Sequence, residues 1–300
     1  MNTQVLSAPR QWRDYLEITK YKVVGLLTFT AVVGMLLASE WIPHWTVLVF
    51  GSAGIALVSG AAAAINQVVD QRIDTVMART RNRPLPRGNL NARQVLVFAA
   101  ILASAGVALL LAFTNVLCAL LTIASMLGYA VIYTMFLKRA TPQNIVIGGA
   151  AGAAPPMLGW IAVTGQLDPP AAVLFAIVFV WTPPHFWALA IHRREEYAKV
   201  DIPMLPVTHG VAFTRLHILL YTLLLFIFGL FPYLVGMSGP LYLLGAIVLG
   251  GRFLWYALRM YRREEDSLAM PTFGYSMVYL LALFAVLLVD HYLMLVMQQL

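Results

Sequence analysis

A membrane-embedded helical fold is set by residues 47–74, which read V-L-V-F-G-S-A-G-I-A-L-V-S-G-A-A-A-A-I-N-Q-V-V-D-Q-R-I-D. The residues up to position 65 are apolar or small, and a run of about 20 such residues is long enough to cross a bilayer as an α-helix. Asn66, Asp70 and Asp74 then follow at intervals of four. Because a step of four residues turns an α-helix by ~400°, these three polar side chains share one stripe.

The composition extends this apolar pattern to the whole chain. Hydrophobic residues make up 61% of the 300 residues and charged residues only 11%, and the mean hydropathy is +0.79. Soluble domains carry about 25% charged residues. We therefore predict an all-α polytopic membrane protein, with one domain over 1–300 and nine transmembrane helices. The predicted spans are roughly 22–40, 46–66, 94–113, 116–137, 144–163, 171–191, 216–236, 240–258 and 274–297.

The basic residues give the predicted orientation. All 20 Lys and Arg residues fall on one side of these spans or at the helix ends on that side. The positive-inside rule then places the N-terminal segment 1–20 in the cytoplasm and the C-terminus outside. The net charge of +7 on one face indicates anionic lipid headgroups or an anionic substrate and does not require nucleic acid. The single Cys118 excludes an intrachain disulfide and a thiolate metal cluster.

Two loops are long in a chain whose other links are short. They cover 67–93 and 192–215, they follow the second and sixth predicted helices, and both contain Pro and mixed charges. Unusually long loops tend to be functional. We predict that the active site lies between these two loops, on the cytoplasmic side.

The stripe at the end of the second helix predicts a site where a metal ion links the carboxylates to a substrate diphosphate. Carboxylates are disfavoured at the negative C-terminal pole of a helix, so Asp70 and Asp74 need a compensating cation. Mg²⁺ commonly binds one or two carboxylates together with phosphate oxygens of a substrate. Arginines grip phosphate oxygens, and four of them follow the stripe: Arg79, Arg81, Arg83 and Arg87. The alternative is a solvated loop in which acids and bases simply pair.

At this point the chain resembles a known family. The pattern N-x-x-x-D-x-x-x-D at 66–74, followed by R-x-x-x-R-P-L at 79–85, is similar to the first aspartate-rich motif of the UbiA-type intramembrane prenyltransferases. The resemblance implies nine transmembrane helices around a central cavity open to the cytoplasmic side. It also implies a prenyl diphosphate substrate bound through Mg²⁺.

Further blocks resemble the haem-farnesylating branch of that superfamily. They are M-A-R-T-R-N-R-P-L-P-R-G at 77–88, Y-T-M-F-L-K-R-A-T-P-Q-N at 133–144, G-G-A-A-G-A-A-P-P-M-L-G-W at 148–160, W-T-P-P-H-F-W-A-L-A at 181–190 and E-E-Y-A-K-V-D-I-P-M-L-P-V at 195–207. The resemblance implies transfer of a farnesyl group from farnesyl diphosphate to a vinyl group of haem B, with addition of water, to give haem O. Haem B would be a substrate and no permanent cofactor. The resemblance further implies a bacterial inner-membrane location, with a haem A synthase or terminal oxidase as a candidate partner.

The second loop departs from the superfamily pattern. Most members carry a second D-x-x-x-D motif, whereas residues 192–201 here read H-R-R-E-E-Y-A-K-V-D. We take Glu196 as the best second-site carboxylate and Glu195 as the next. His192 shares a helical face with Glu196. Asp201 is discounted, because the family often has Gly at that position.

The remaining candidates each have a structural alternative. The resemblance places Tyr133 and Lys138 beside the diphosphate, although both residue types also serve as interfacial anchors. Asn144 is either a ligand or a helix cap. His185 lies inside a membrane helix, where an ionisable group is functional by default; it would ligate haem iron or face the reacting carbons, or else bond a backbone carbonyl freed by the adjacent prolines. The small residues of 148–160 are expected to pack helices closely.

Together these arguments give one set of site residues. The predicted metal ligands are Asn66, Asp70, Asp74 and Glu196. The predicted catalytic residues are these four with Arg79, Arg83, Tyr133, Lys138, His185 and Glu195. The predicted substrate-binding residues are Asn82, Arg87, Asn144, His192 and Lys199.

Three other functions compete with this interpretation. A quinone-precursor prenyltransferase would do the same chemistry on an aromatic ring, but the irregular second loop and the P-P-H-F block argue against it. A transporter also carries charges and broken helices, but the acids here cluster at one membrane face. An assembly factor that only binds haem would have little use for a regular stripe of Asn and Asp.

Overall fold

The structure is a computed structural model that describes residues 11–263 and 266–298. The part described is helical and contains no strand. The first ten residues of the predicted N-terminal segment lie outside it. In chain order the helices are α1 Gln11–Ile18, α2 Tyr21–Leu37, α3 Val47–Val69, α4 Gln71–Val76, α5 Ala92–Phe113, α6 Val116–Ala140, α7 Asn144–Thr164, α8 Pro169–His192, α9 Arg194–Ala198, α10 Leu205–Thr208, α11 Gly210–Leu234, α12 Pro240–Arg263 and α13 Ala269–Met297.

The prediction of a nine-helix membrane protein is confirmed. Over the described ranges eight helices are long and apolar enough to cross a membrane. A ninth span is the pair formed by Trp12–Ile18 and α2, which are bent by 56° relative to each other. The helix bounds match the predicted spans to within a few residues. The central cavity open to the cytoplasm remains a prediction.

Small residues bring α2 and α7 into backbone contact. A Cβ atom added to Gly34 of α2 would lie 2.0 Å from the carbonyl oxygen of Pro156 in α7, and one added to Gly159 of α7 would lie 1.9 Å from that of Ala31. Neither position has room for a methyl group. The small-residue run at 148–160 therefore packs helices, as predicted, and glycine is the residue that permits this approach.

The sixth membrane span, α8, is the most enclosed. It packs against α7, α11 and α13. Its apolar side chains form a core with those neighbours that includes Trp181, Tyr279 and Phe284. Pro183 and Pro184 lie inside α8, and Pro155 and Pro156 lie inside α7, without ending either helix.

Three local features were not predicted. The helix that carries the stripe ends at Val69, and the short helix α4 continues it after Asp70. The segment Gly128–Leu137 of α6 is wound as a π-helix. Arg252 lies well inside α12, with its guanidinium 5.5 Å from the ring centre of Tyr275. The basic side chains are therefore not all at helix ends.

Candidate active site

Asn66, Asp70 and Asp74 remain in one stripe although the helix breaks between α3 and α4. The backbone N–H of Asp70 donates to the carbonyl of Asn66, and that of Asp74 donates to the carbonyl of Asp70, at 3.0 and 2.9 Å. The helical spacing of four is therefore kept across the break. All three side chains are buried, with 3–4% of their surface exposed. The Nδ2 of Asn66 donates to Oδ2 of Asp70 at 3.0 Å.

Each carboxylate of the stripe is paired with a cation from another part of the chain. Lys138, at the end of α6, donates from Nζ to Oδ2 of Asp70 at 2.5 Å. Arg83, in the first long loop, donates from Nη1 to Oδ2 of Asp74 at 2.6 Å. Burying a charged group costs free energy unless the group is paired, and these two ion pairs offset that cost for Asp70 and Asp74. The structure thus brings together five of the predicted catalytic residues: Asn66, Asp70, Asp74, Arg83 and Lys138.

Lys20 joins this cluster and was missed in the sequence. Its ammonium group donates to Oδ1 of Asn66 at 2.6 Å and to the hydroxyl of Tyr129 at 3.4 Å. The backbone of Lys20 is left-handed, with φ 54°, and it turns the chain between α1 and α2. Non-glycine residues rarely adopt this conformation. A positive φ has no signature in sequence, so Lys20 read as one of several basic residues near a membrane end.

The π-helical segment of α6 supplies another wall of the cluster. Thr134 lies within it and accepts a hydrogen bond from Nδ2 of Asn66 at 3.1 Å. Its own hydroxyl donates to the carbonyl of Tyr129 at 2.7 Å. Tyr133 stacks on Tyr129, with ring centres 5.6 Å apart, and its ring covers Gly148 of α7. Tyr133 is therefore a neighbour of the cluster, and π-helical turns of this kind are frequent at functional sites.

Asn144 lies at the start of α7 and is fully buried. Its Nδ2 donates to the carbonyl of Lys138 at 3.3 Å, while its Oδ1 is buried without a hydrogen-bond partner. Gln143 occupies the N-cap position, and its side chain makes no cap hydrogen bond. The alternative that Asn144 caps the helix is therefore wrong. Asn144 instead fixes the backbone that carries Lys138.

The second long loop packs against the first. Tyr197 of α9 shares a buried apolar cluster with Met77 of the first loop. Burial raises the pKa of the Tyr197 phenol, which keeps its proton. Arg79 is exposed, yet it lies close enough to Asp74, Tyr197 and Arg193 to interact with them electrostatically. The two loops are therefore in contact.

The predicted residues of the second loop occupy a polar cleft. Glu196 is half-buried, its Oε1 lies 3.6 Å from Nη1 of Arg193, and its Oε2 is buried without a partner. Glu195 and His192 line the same cleft and are exposed. Lys199 is exposed as well.

Asp201 has an unusual backbone conformation. Its φ is 51°, in the left-handed region that favours glycine. Position 201 is therefore constrained by its backbone conformation, independently of the Asp201 carboxylate. In the first loop, Asn82 and Arg87 are exposed.

His185 is buried in α8, away from the paired carboxylates. Its Nδ1 lies 2.6 Å from the hydroxyl of Ser276 in α13. That hydroxyl also donates to the carbonyl of Phe273 at 2.6 Å, so Nδ1 of His185 is the donor in the first bond and Nε2 is left as an acceptor. The ring is stacked between Trp181 and Phe273. The predicted alternative of a bond from His185 to a backbone carbonyl is wrong, because its partner is a side-chain hydroxyl.

The stripe offers a hard cation a small set of oxygen ligands. Oδ1 of Asp70 is buried and has no hydrogen-bond partner, and Asp74 adds a second carboxylate. In the residues described, no three Asp, Glu, His or Cys side chains come together as a metal site. Asp70, Asp74 and Glu196 are thus not a preassembled triad. The donor set fits Mg²⁺ that completes its coordination with substrate phosphates and water.

Comparisons with known proteins show the family of this chain. A model of the UbiA prenyltransferase family matches residues 27–288. A relative from Azotobacter vinelandii, named protoheme IX farnesyltransferase, is 64% identical over 94% of each chain. A relative of the same name from Marinobacter nauticus is 61% identical over 94% of this chain and 93% of its own.

Solved structures share the fold. A structure described as digeranylgeranylglyceryl phosphate synthase has a TM-score of 0.80 and 19% identity, covering 95% of this chain and 99% of its own. A UbiA homologue from Archaeoglobus fulgidus, bound to DMAPP and Mg²⁺, has a TM-score of 0.65 and 16% identity, covering 91% of this chain and 99% of its own.

Proposed function

This chain belongs to the UbiA prenyltransferase family, and we propose that it is a protohaem IX farnesyltransferase, which converts haem B, farnesyl diphosphate and water into haem O and diphosphate. The observation that carries the proposal is the buried cluster at the end of α3. Two carboxylates, one amide and three cations meet there, at the edge of an apolar helical bundle. The name shared by relatives at about 60% identity supports the choice of acceptor.

The cations of the cluster bind the leaving group. Lys20, Lys138 and Arg83 carry three positive charges against the two negative charges of Asp70 and Asp74. The cluster is therefore suited to an anionic ligand. Mg²⁺ held by Asp70 and Asp74, with Asn66 and Glu196 as further ligands, would neutralise charge on the diphosphate. Arg79, Asn82 and Arg87 bind it from the exposed side of the loop.

The chemistry is an ionisation followed by two captures. The bond between C1 of the farnesyl group and the diphosphate oxygen breaks, and the diphosphate keeps the electron pair. Charges already fixed around that oxygen lower the barrier, which is usually the largest catalytic contribution. The terminal carbon of a haem vinyl group then bonds to C1, and water adds to the cation left beside the porphyrin ring. The proton lost by that water goes to a base, for which His185 and Glu195 are the candidates.

The neighbouring residues have supporting roles. Tyr133 and Asn144 shape the wall beside Lys138. His192 and Lys199 contact the substrates at the second loop. We further propose that the protein lies in the bacterial inner membrane, with its N-terminus in the cytoplasm, its C-terminus outside, and a haem A synthase or terminal oxidase receiving its product.

A product assay tests this function. Purified protein in detergent is incubated with haem B, farnesyl diphosphate and Mg²⁺, and the extract is analysed by mass spectrometry. We expect the mass of haem B plus one farnesyl group and one hydroxyl group. Prenylation of 4-hydroxybenzoate in a parallel reaction, with haem B unchanged, would reject haem as the acceptor. Asp70→Asn should abolish turnover, and full turnover by that variant would reject the role of the carboxylate.

A further inference from the structure

A polar cleft beside the second loop contains two loosely held arginines. Its volume is about 300 Å³, and it is lined by Ile191, His192, Arg193, Arg194, Glu195, Glu196 and Asp266. The arginines follow directly on α8, the most enclosed span, so they sit where the apolar bundle meets water. Neither was a predicted site residue.

Arg193 is only weakly engaged within the protein. Its Nη1 lies 3.6 Å from Oε1 of Glu196, which is beyond the range of a good hydrogen bond. Its Nε is buried and has no hydrogen-bond partner. A buried donor left unpaired costs about 1–3 kcal/mol. The side chain as a whole is 26% exposed, so a ligand in the cleft can reach the exposed part of its guanidinium group.

Arg194 shows the same loose pairing on the outer side of the cleft. Its Nη1 lies 3.5 Å from Oδ2 of Asp266, whereas the other oxygen of Asp266 is held by Arg215 at 2.6 Å. The closer ion pair belongs to Arg215, and Arg194 is left with a long contact. Its side chain is 47% exposed. The cleft therefore presents two neighbouring guanidinium groups whose current partners are distant.

We propose that Arg193 and Arg194 bind the two propionate groups of the haem substrate. This inference rests on the proposed function and names the contacts that orient its acceptor. A propionate carboxylate matches the planar fork of a guanidinium group with two parallel hydrogen bonds. Haem B carries its two propionates on the edge of the ring opposite the vinyl groups. Anchoring that edge in the wet cleft directs the vinyl edge away from the cleft and into the bundle.

The position of the cleft suits this orientation. Arg79 interacts electrostatically with both Arg193 and Asp74, so the cleft lies next to the loop that holds the diphosphate cluster. Glu196 links the two sites in this scheme, because its carboxylate is the present partner of Arg193 and a proposed ligand of Mg²⁺. When Glu196 turns towards the diphosphate, as the proposed function requires, Arg193 is released to a propionate.

The test pairs a protein variant with a matching change in the ligand. Binding of haem B and of its dimethyl ester, in which both propionates are neutral, is measured by Soret titration in detergent without farnesyl diphosphate. We expect the wild type to bind the ester about 10-fold or more weakly than haem B. Arg193→Gln should weaken haem B binding by a similar factor and leave ester binding unchanged. Arg139→Gln, an exposed arginine outside the cleft, should behave as the wild type.

Four further outcomes bear on the proposal. Equal weakening of haem B and its ester by Arg193→Gln would show a general loss of structure and would overturn the propionate contact. A higher KM of that variant for farnesyl diphosphate, with unchanged haem binding, would assign Arg193 to the diphosphate and also overturn it. If the wild type binds no haem and makes no haem O, the proposed function itself fails. Haem O formation without any sensitivity to esterification rejects this inference alone.

Discussion

Lys20 belongs to the buried cluster, although its role could not be predicted from the sequence. Its ammonium group contacts Asn66 and Tyr129, while Lys22, two residues on, is exposed. Both read as basic residues at a membrane boundary. The difference arises from the left-handed backbone at Lys20, φ 54°, which no composition rule anticipates. By contrast, the regular spacing of Asn66, Asp70 and Asp74 was enough to predict their shared stripe.

Replacing Lys20 tests its role at the diphosphate. Lys20→Met keeps much of the side-chain volume and removes one charge-assisted contact, which is worth about 1.5–3 kcal/mol. We expect the KM for farnesyl diphosphate to rise about 10- to 100-fold, with little change in the KM for haem B. The matched control is Lys22→Met, which should leave both values unchanged. Similar behaviour of the two variants would remove Lys20 from the site.

For Asp201 we predict that substitution changes stability and leaves activity unchanged. Its positive φ of 51° strains an ordinary side chain by about 1–2 kcal/mol. Asp201→Gly should therefore raise the midpoint of thermal unfolding slightly and leave haem O formation at the wild-type rate. Loss of activity on this substitution would mean that the Asp201 carboxylate has a catalytic role after all.

At the scale of helices, the apolar runs predicted where the spans lie, and the structure differs in how they are wound and joined. The π-helical segment Gly128–Leu137 and the break at Asp70 are set by tertiary packing around the site. Neither the π-helical segment nor the break at Asp70 changes the pattern of apolar residues, so that pattern cannot predict them. The pairing of Asp70 with Lys138, 68 residues apart, was not predicted. The family resemblance placed Lys138 beside the diphosphate, but spacing in sequence cannot bring two distant helices together.

The contact between α2 and α7 can be tested with one methyl group. Gly159→Ala places a Cβ atom only 1.9 Å from the carbonyl oxygen of Ala31. Overpacking of this kind costs about 1–3 kcal/mol of stability. We expect a lower midpoint of thermal unfolding in detergent. Gly152→Ala lies in the same helix, and its added Cβ meets nothing within 4 Å. Equal effects of the two substitutions would show that helix propensity, and not close packing, selects glycine here.

At the scale of the whole molecule, the orientation in the membrane is the main untested prediction. Cys118 is buried, so Cys118→Ala gives a background without a free thiol. On that background, Gln166→Cys and Arg81→Cys place exposed thiols on the predicted outer and cytoplasmic sides. In intact spheroplasts an impermeant maleimide should label only position 166, and position 81 should react after permeabilisation. The reverse pattern would invert the topology.

The central claim is that the buried cluster at the end of α3 binds the diphosphate together with Mg²⁺. The most direct measurement is calorimetric binding of the unreactive analogue farnesyl S-thiolodiphosphate, with and without Mg²⁺, to the wild type and Asp70→Asn. We predict that Mg²⁺ tightens binding to the wild type at least 10-fold and has little effect on binding to the variant. An Asp70→Asn protein that binds the analogue with wild-type affinity and wild-type dependence on Mg²⁺ would contradict the claim.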